Sequence, residues 1–342
     1  MPFILPFLVT HMNYTSYLLR RLLYMVVTLA VISVLIYVVI QLPPGDAVDT
    51  IVAQRESEGD VITEAEELEL RRQYGLDRPL VVQYADWVVE FLSGEMGRSI
   101  RGVPVNELIA ERLGGTIMLS LISILFTYLV AIPIGIYSAT HQYSLTDYGL
   151  TTLGFIGLAT PNFLLGLILL YVFYKFFGLS IGGFYTPGME EQPWSMAKLF
   201  DLIGHLWIPV IVIGTAATAG TIRVMRGTLL DELGKQYVIT ARAKGLAEPR
   251  VIFKYPVRLA LNPMVSGVGN VLPELISGET IVAIVLGLPT LGPLMYAAVR
   301  TQDINLSGSV LLVISALAVI GVLISDILLV VVDPRISYER KG

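Results

Sequence analysis

The chain contains no cysteine, which excludes a disulfide framework, a thiolate metal site and a thiol nucleophile. Charge is scarce as well. Only 15% of the 342 residues are Asp, Glu, Lys or Arg, against 54% hydrophobic ones, a balance that does not suit a water-soluble fold. The three histidines, His11, His141 and His205, are widely separated. Neither His-Glu-x-x-His nor Gly-x-Ser-x-Gly occurs, which argues against a membrane metalloprotease or serine hydrolase. A phosphate-binding Gly-x-x-x-x-Gly-Lys-Ser/Thr loop is also missing. Its nearest approach, Gly234-Lys235-Gln236, fails on spacing and on the hydroxyl. The expectation is therefore a chain with no catalytic residues, no metal ligands, no cofactor of its own and no nucleic-acid partner.

What is present is a series of long apolar runs. A helix needs about 20 apolar residues to cross a bilayer. Six runs meet or approach that length: Leu22 to Leu42, Ile117 to Ala139, Leu150 to Phe177, Leu206 to Ile222, Val265 to Leu288 and Ser309 to Val332. Each carries glycine or other small residues that let helices approach closely. The predicted fold is an all-α polytopic membrane protein with six transmembrane helices in the lipid bilayer. The opening MPFILPFLVT has no basic leader and no small-residue cleavage site, so no cleaved signal peptide is expected.

Orientation follows from lysine and arginine in the flanks. Arg20 and Arg21 precede the first run, eight Lys or Arg residues lie between Arg223 and Arg258, and Arg335, Arg340 and Lys341 follow the last. With six crossings these places share one side, which is expected to be the cytoplasm, with both termini inside. The predicted organisation is a cytoplasmic segment 1–21, a first span 22–42, an extracytoplasmic segment 43–115, a core 116–332 containing a cytoplasmic loop 223–263, and a cytoplasmic tail 333–342. Segment 43–115 holds 15 acidic and 7 basic residues. Thr63 and Glu66 fit a capping box for a helix ending near Gly75. Leu80, Tyr84, Trp87, Val88 and Phe91 share one helical face that Gly94 would stop, and Val105, Leu108, Ile109 and Leu113 repeat the pattern.

Ionisable and amide groups within the spans are candidates for lining a path. Glu274 and Glu279 fall near the outer part of the fifth span and read either as path-lining groups or as structural pairs. Asp326 reads as the partner of a basic residue at the inner surface, or as an ion-coupling group. Asn162, beside Pro161, either lines the path or bonds to a neighbouring helix. These acids would be central to a gradient-driven carrier.

One polar interruption is too patterned for a loose loop: YVITARAKGLAEPRVIFKYP, Tyr237 to Pro256. Helix formers reach Lys244, Gly245 supplies a bend, and Pro249 suits the first turn of a second short helix. Small Thr240, Ala241 and Ala243 allow close approach to another surface, and Arg242 and Lys244 add charge. Such an element suits a groove on a partner, although its charges alone also satisfy the positive-inside rule or contact with anionic lipid.

This stretch resembles the coupling loop of ATP-binding cassette (ABC) importer membrane subunits of the dipeptide and oligopeptide permease family, where Tyr-Val-x-Thr-Ala-Arg-Ala-Lys-Gly-Leu is typical. Tyr237, Val238, Thr240 to Leu246 and the later Pro263 match it, with Ile239 at the variable position. Arg20-Arg21-Leu22, Pro44-Gly45-Asp46, Tyr74-Gly75-Leu76-Asp77-Arg78-Pro79 and Asp333-Pro334-Arg335 resemble further landmarks. The resemblance implies the type I importer transmembrane architecture in a prokaryotic inner or plasma membrane. It also implies a homologous second permease, two cytoplasmic ATPase subunits or domains that use ATP and Mg, and an extracytoplasmic solute-binding protein. Tyr237 and Ile239 to Leu246 would then couple this chain to the ATPases. Gly278-Glu279-Thr280-Ile281-Val282 leading to Leu288-Pro289-Thr290 looks more like relatives associated with oligosaccharide uptake. Peptides, oligosaccharides and metal chelates are all cargo classes that the resemblance implies.

Overall fold

In the computed structural model, which describes residues 14–179 and 181–332, the apolar runs are helices, and several extend well beyond their apolar cores. The first, α1 (Tyr14–Gln41), begins eight residues before the predicted span, so residues 14–21 are already helical. Residues 1–13 and the tail 333–342, including the Asp333-Pro334-Arg335 landmark, lie outside the described residues. Three short helices follow: α2 (Ala47–Ser57), α3 (Glu64–Gln73) and α4 (Leu80–Ser93). Thr63 caps α3 reciprocally with Glu66, and Gly94 ends α4 in the left-handed conformation at φ +83°.

The next helix corrects the sequence reading. α5 (Val105–Thr140) absorbs the amphipathic piece at Val105 to Leu113 as its own first turns, so the segment between α1 and α5 ends at 104 rather than 115. Gly114-Gly115 does not stop it, because tertiary contacts require the small residue. A Cβ at Gly115 would lie 2.6 Å from the Phe184 ring and 3.0 Å from the Pro289 carbonyl oxygen. The third apolar run is likewise not one rod. It forms α6 (Leu145–Ala159) and α7 (Asn162–Phe177), bent by 99° at Thr160-Pro161, where proline both lacks an N–H and disfavours helix in the residue before it.

The fourth run, read as the shortest, is the core of a 38-residue helix, α8 (Met196–Leu233). Its apolar window underestimates it because both ends are polar and still helical. Three short helices follow the pattern of the chain's prolines and glycines, α9 (Gln236–Ala243), α10 (Glu248–Lys254) and α11 (Pro256–Ala260), and then comes the long α12 (Asn262–Leu286). The segment between α8 and α12 is thus 234–261, shorter than the predicted 223–263. Gly287, at φ +65°, turns the chain into α13 (Leu291–Arg300), which makes 93° with the end of α12. α14 (Ile304–Val332) closes the fold. Among the described residues four helices are long and apolar enough to cross a membrane, and two bent pairs bring the crossings to six if each counts as one.

α5 packs along α8, and α14 along both α12 and α1. The close approach of α5 and α8 depends on small residues. A Cβ at Gly135 would sit 2.7 Å from the Met225 Cβ, and one at Gly214 would sit 2.7 Å from the Phe126 ring. The main core joins Leu119 of α5, Ile208 and Val212 of α8, and Val282 and Leu286 of α12. The apolar face of α4 covers α1 and α14 through Trp87, Ile36, Tyr37 and Leu312, while Leu80 of the predicted face stays exposed.

Polar contacts define the two ends of the bundle. At one end the Gln302 amide donates to the Pro44 carbonyl (3.0 Å), Ile100 N–H to Asp303 (2.8 Å) and Asn305 to the Arg98 carbonyl (3.2 Å). At the other, Arg21 of α1 pairs with Asp326 of α14 at 2.5 Å, and Arg226 of α8 with Asp147 of α6 at 3.1 Å. Segment 43–104 lies at the first end and segment 234–261 at the second.

Candidate functional site

The projecting element at the second end is built by local rules. α8 stops at Gly234, and Lys235 takes an extended conformation before α9 begins. α9 lasts eight residues and ends at Gly245, whose φ of +73° reverses the chain. The Gly245 N–H donates to the Arg242 carbonyl (2.9 Å) and Leu246 N–H to that of Ala241 (3.4 Å), satisfying carbonyls that the helix end leaves over. Pro249 occupies the first turn of α10, and Pro256 starts α11. The product is the predicted helix, bend and short helix, with an extra break between α8 and α9 that helix formers alone did not signal.

Its inner face is a small apolar core of Val238, Ala241 and Val251, bordered by Tyr237, Leu246 and Tyr255. Ala241 therefore packs inward against α10, a correction to its expected place on the partner-facing surface. The outward surface carries Ile239, Thr240, Arg242, Ala243 and Lys244, all exposed. Two polar ties hold the shape. Tyr237 donates its hydroxyl to Glu232 Oε2 of α8 at 2.5 Å, and burial first, then that carboxylate, holds the phenol well above the usual tyrosine range. Arg242 reaches across the Gly245 bend with Nη2 to Glu248 Oε1 (2.6 Å) and Nε to Oε2 (3.1 Å). Its hydrogen bonds hold the Glu248 carboxyl below the usual glutamate value. The Glu232 and Glu248 partners are not evident from sequence spacing, because one lies across a helix break and the other across a bend.

The membrane-embedded candidates are dispersed. Asn162 is the first residue of α7, half-buried at the 99° break, and no side-chain hydrogen bond to it is found among the described residues. Glu274 is on α12 within 269–277, whose side chains lie outside the described ones. Glu279, two turns before the end of α12, is 3% exposed, and among the described residues neither carboxylate oxygen has a hydrogen-bond partner within 3.5 Å; the Thr290 hydroxyl is buried too. Asp326 is engaged by Arg21, the structural pairing that its position near a basic flank suggested. The Arg226 to Asp147 pair, by contrast, joins residues 79 apart and has no sequence signal.

The sequence profile described as "Binding-protein-dependent transport system inner membrane component" matches residues 131–338, from within α5 through the whole projecting element to beyond α14. The chain belongs to this family. The companion profile, "Binding-prot-dependent transport system membrane comp, N-term", covers residues 14–106, that is α1 through the start of α5. Membership makes the fold the type I ABC importer permease fold, an inner-membrane multi-pass protein rather than an enzyme. The chain is 38% identical over 325 residues to the oligopeptide transport system permease protein AppB of Bacillus subtilis, covering 94% of this chain and 99% of the relative. It is 32% identical over 331 residues to the oligopeptide transport system permease protein OppB of Mycobacterium tuberculosis, covering 95% and 100%. A peptidoglycan transport system permease protein, YejB of Agrobacterium fabrum, is 28% identical over 361 residues, covering 95% and 99%.

Proposed function

We propose that this chain forms half of the translocation path of an ABC importer for peptides, and that the α9–Gly245–α10 element receives the motion of separate ATPase subunits. The observation that carries the reading is the element itself: a helix, bend and helix fixed to α8 by Tyr237 and Glu232, with Ile239, Thr240, Ala243 and Lys244 turned outward. Full-length similarity to oligopeptide permeases supports the cargo class. In this reading the basic end carrying α9 to α11 is cytoplasmic, as are both termini, and segment 43–104 faces outward. A homologous permease completes the path, two ATPase subunits dock on the element, and an extracytoplasmic solute-binding protein delivers cargo. ATP and Mg belong to the ATPases.

The test is reconstitution in lipid vesicles with the second permease, the ATPases and the binding protein. Radiolabelled oligopeptide is expected to accumulate only with ATP. Accumulation driven by an ion gradient without ATP would identify a secondary carrier instead. Accumulation of an oligosaccharide with no peptide uptake would transfer the cargo to the second class, which the Gly278 to Pro289 run resembles.

A further inference from the structure

A cavity of about 430 Å³ lies at the end of the bundle opposite the coupling element, walled by α4, the turn after α3 and the loop between α4 and α5. That volume is in the range in which proteins hold small ligands. The loop is shaped by left-handed backbone: Gly94, Gly97 and Gly102 have positive φ, and so does Met96 at +47°. A bridge between Arg98 and Pro104 closes it, and Asp303 anchors it through the Ile100 N–H.

The charges lining this cavity do not all cancel internally. Asp303 is satisfied by the Ile100 N–H at 2.8 Å and the Leu306 N–H at 3.0 Å. Arg78 is engaged by Asp86 at 2.8 Å. Three groups keep unused hydrogen-bonding capacity. Glu90 has neither an ion pair nor a side-chain hydrogen bond among the described residues, and burial, then Asp86 and Glu95, push its carboxyl above the usual glutamate value. Arg98 uses one N–H on the Gly102 carbonyl at 2.8 Å, leaving the rest of its donors. Arg72 faces Glu69 at 3.9 Å, beyond hydrogen-bond distance, and no side-chain hydrogen bond from it is found among the described residues. Tyr74 and Trp87 supply apolar wall between these charges.

An unneutralised acid and two bases with spare donors, on one cavity, complement a small molecule carrying one charge of each sign. We propose that this cavity binds a short zwitterionic peptide, its ammonium at Glu90 and its carboxylate at Arg72 and Arg98. The site rests on the peptide-importer reading and extends it: cargo would be held on the permease itself, outside the membrane, before entering the path. A bidentate guanidinium–carboxylate contact gives the carboxylate end its direction.

The experiment uses the assembled complex in nanodiscs without the solute-binding protein. Trialanine, N-acetyl-trialanine, trialanine amide and maltotriose are titrated by calorimetry. Saturable binding of trialanine is expected, weakened about tenfold or more by either blocking group, as for loss of one charge-assisted hydrogen bond. Glu90→Gln is expected to erase the difference between free and acetylated peptide, and Arg72→Gln to shrink that between acid and amide. Both side chains are exposed, so neither change threatens folding. No saturable binding, equal binding of all three peptides, or equal binding of maltotriose overturns the site. If ATP-driven peptide uptake with the binding protein persists while trialanine alone does not bind, this inference fails and the importer reading stands. Absence of that uptake overturns the importer reading itself.

Discussion

Replacing Gly245 tests the proposed coupling role cleanly, because a Cβ built there meets nothing within 4 Å. Any effect must come from the backbone, which holds φ at +73°. The left-handed conformation costs an L-residue about 1–2 kcal/mol, with asparagine at the low end because its short polar side chain bonds locally, and a β-branched residue at the high end. A cost of one to two kcal/mol lowers the population of the bend relative to straighter alternatives by about 5- to 30-fold. The expected order of ATP-driven uptake is Gly245, then Asn, Ala and Val, with membrane insertion unchanged. Spin labels at Thr240 on α9 and Arg250 on α10 report the bend directly, and their separation should broaden in the same order. Wild-type uptake and a wild-type distance distribution in Gly245→Val would refute the role of the bend. Asparagine as damaging as valine would refute the claim that the position is sterically open.

Three further outcomes follow from the packing and the ion pairs. Gly135→Val forces a side chain against Met225, so it should destabilise the detergent-solubilised protein by about 1–3 kcal/mol, with partial rescue by Met225→Ala, read as thermal unfolding. Arg226→Met should destabilise more than Asp147→Asn, since it strands a carboxylate whose side chain is 4% exposed, whereas the arginine, 31% exposed, can reach water. Equal losses would contradict this. Glu248, held below its ordinary value of 4.5 by Arg242, contributes to the bend above that value and loses its contribution as pH falls through the lowered one. Hydrogen exchange at Gly245 and Leu246 should therefore be flat from pH 8 to about pH 5, after correction for intrinsic rates, and rise only in stronger acid. A rise near pH 7 would assign the tie to another group.

Features written in one turn of chain were legible in the sequence. The Thr63–Glu66 box, the Gly94 stop and the Gly245 bend each rest on a residue whose chemistry acts on its own backbone. Features decided by neighbours were not. The glycine pair Gly114-Gly115 carries no sign of the contacts that keep it inside α5, where Phe184 and the Pro289 carbonyl lie close against Gly115. The polar ends of α8 hid its length from a hydropathy reading, and the run Leu150 to Phe177, read as one span, breaks by 99° at Thr160-Pro161. Within the α9–Gly245–α10 element the motif did not give the facing of its residues: Ala241 turns inward because Val251 of α10 lies over it.

The length of α8 has a mechanical consequence. Thirty-eight residues make a rod of about 57 Å. Gly214, where α8 comes so close to Phe126 of α5 that a Cβ would sit 2.7 Å from the ring, falls at its midpoint. The second close approach, Gly135 of α5 against Met225, lies eleven residues further along, so α5 and α8 are seamed together from the middle of α8 towards α9. A tilt of about 5° of that seamed pair about the middle of α8 carries each end of α8 roughly 2.5 Å, in opposite directions, from the helix rise alone. Tyr237 fastens α9 near one end of α8, so under the proposed function a push on α9 is delivered to α8 and α5 together.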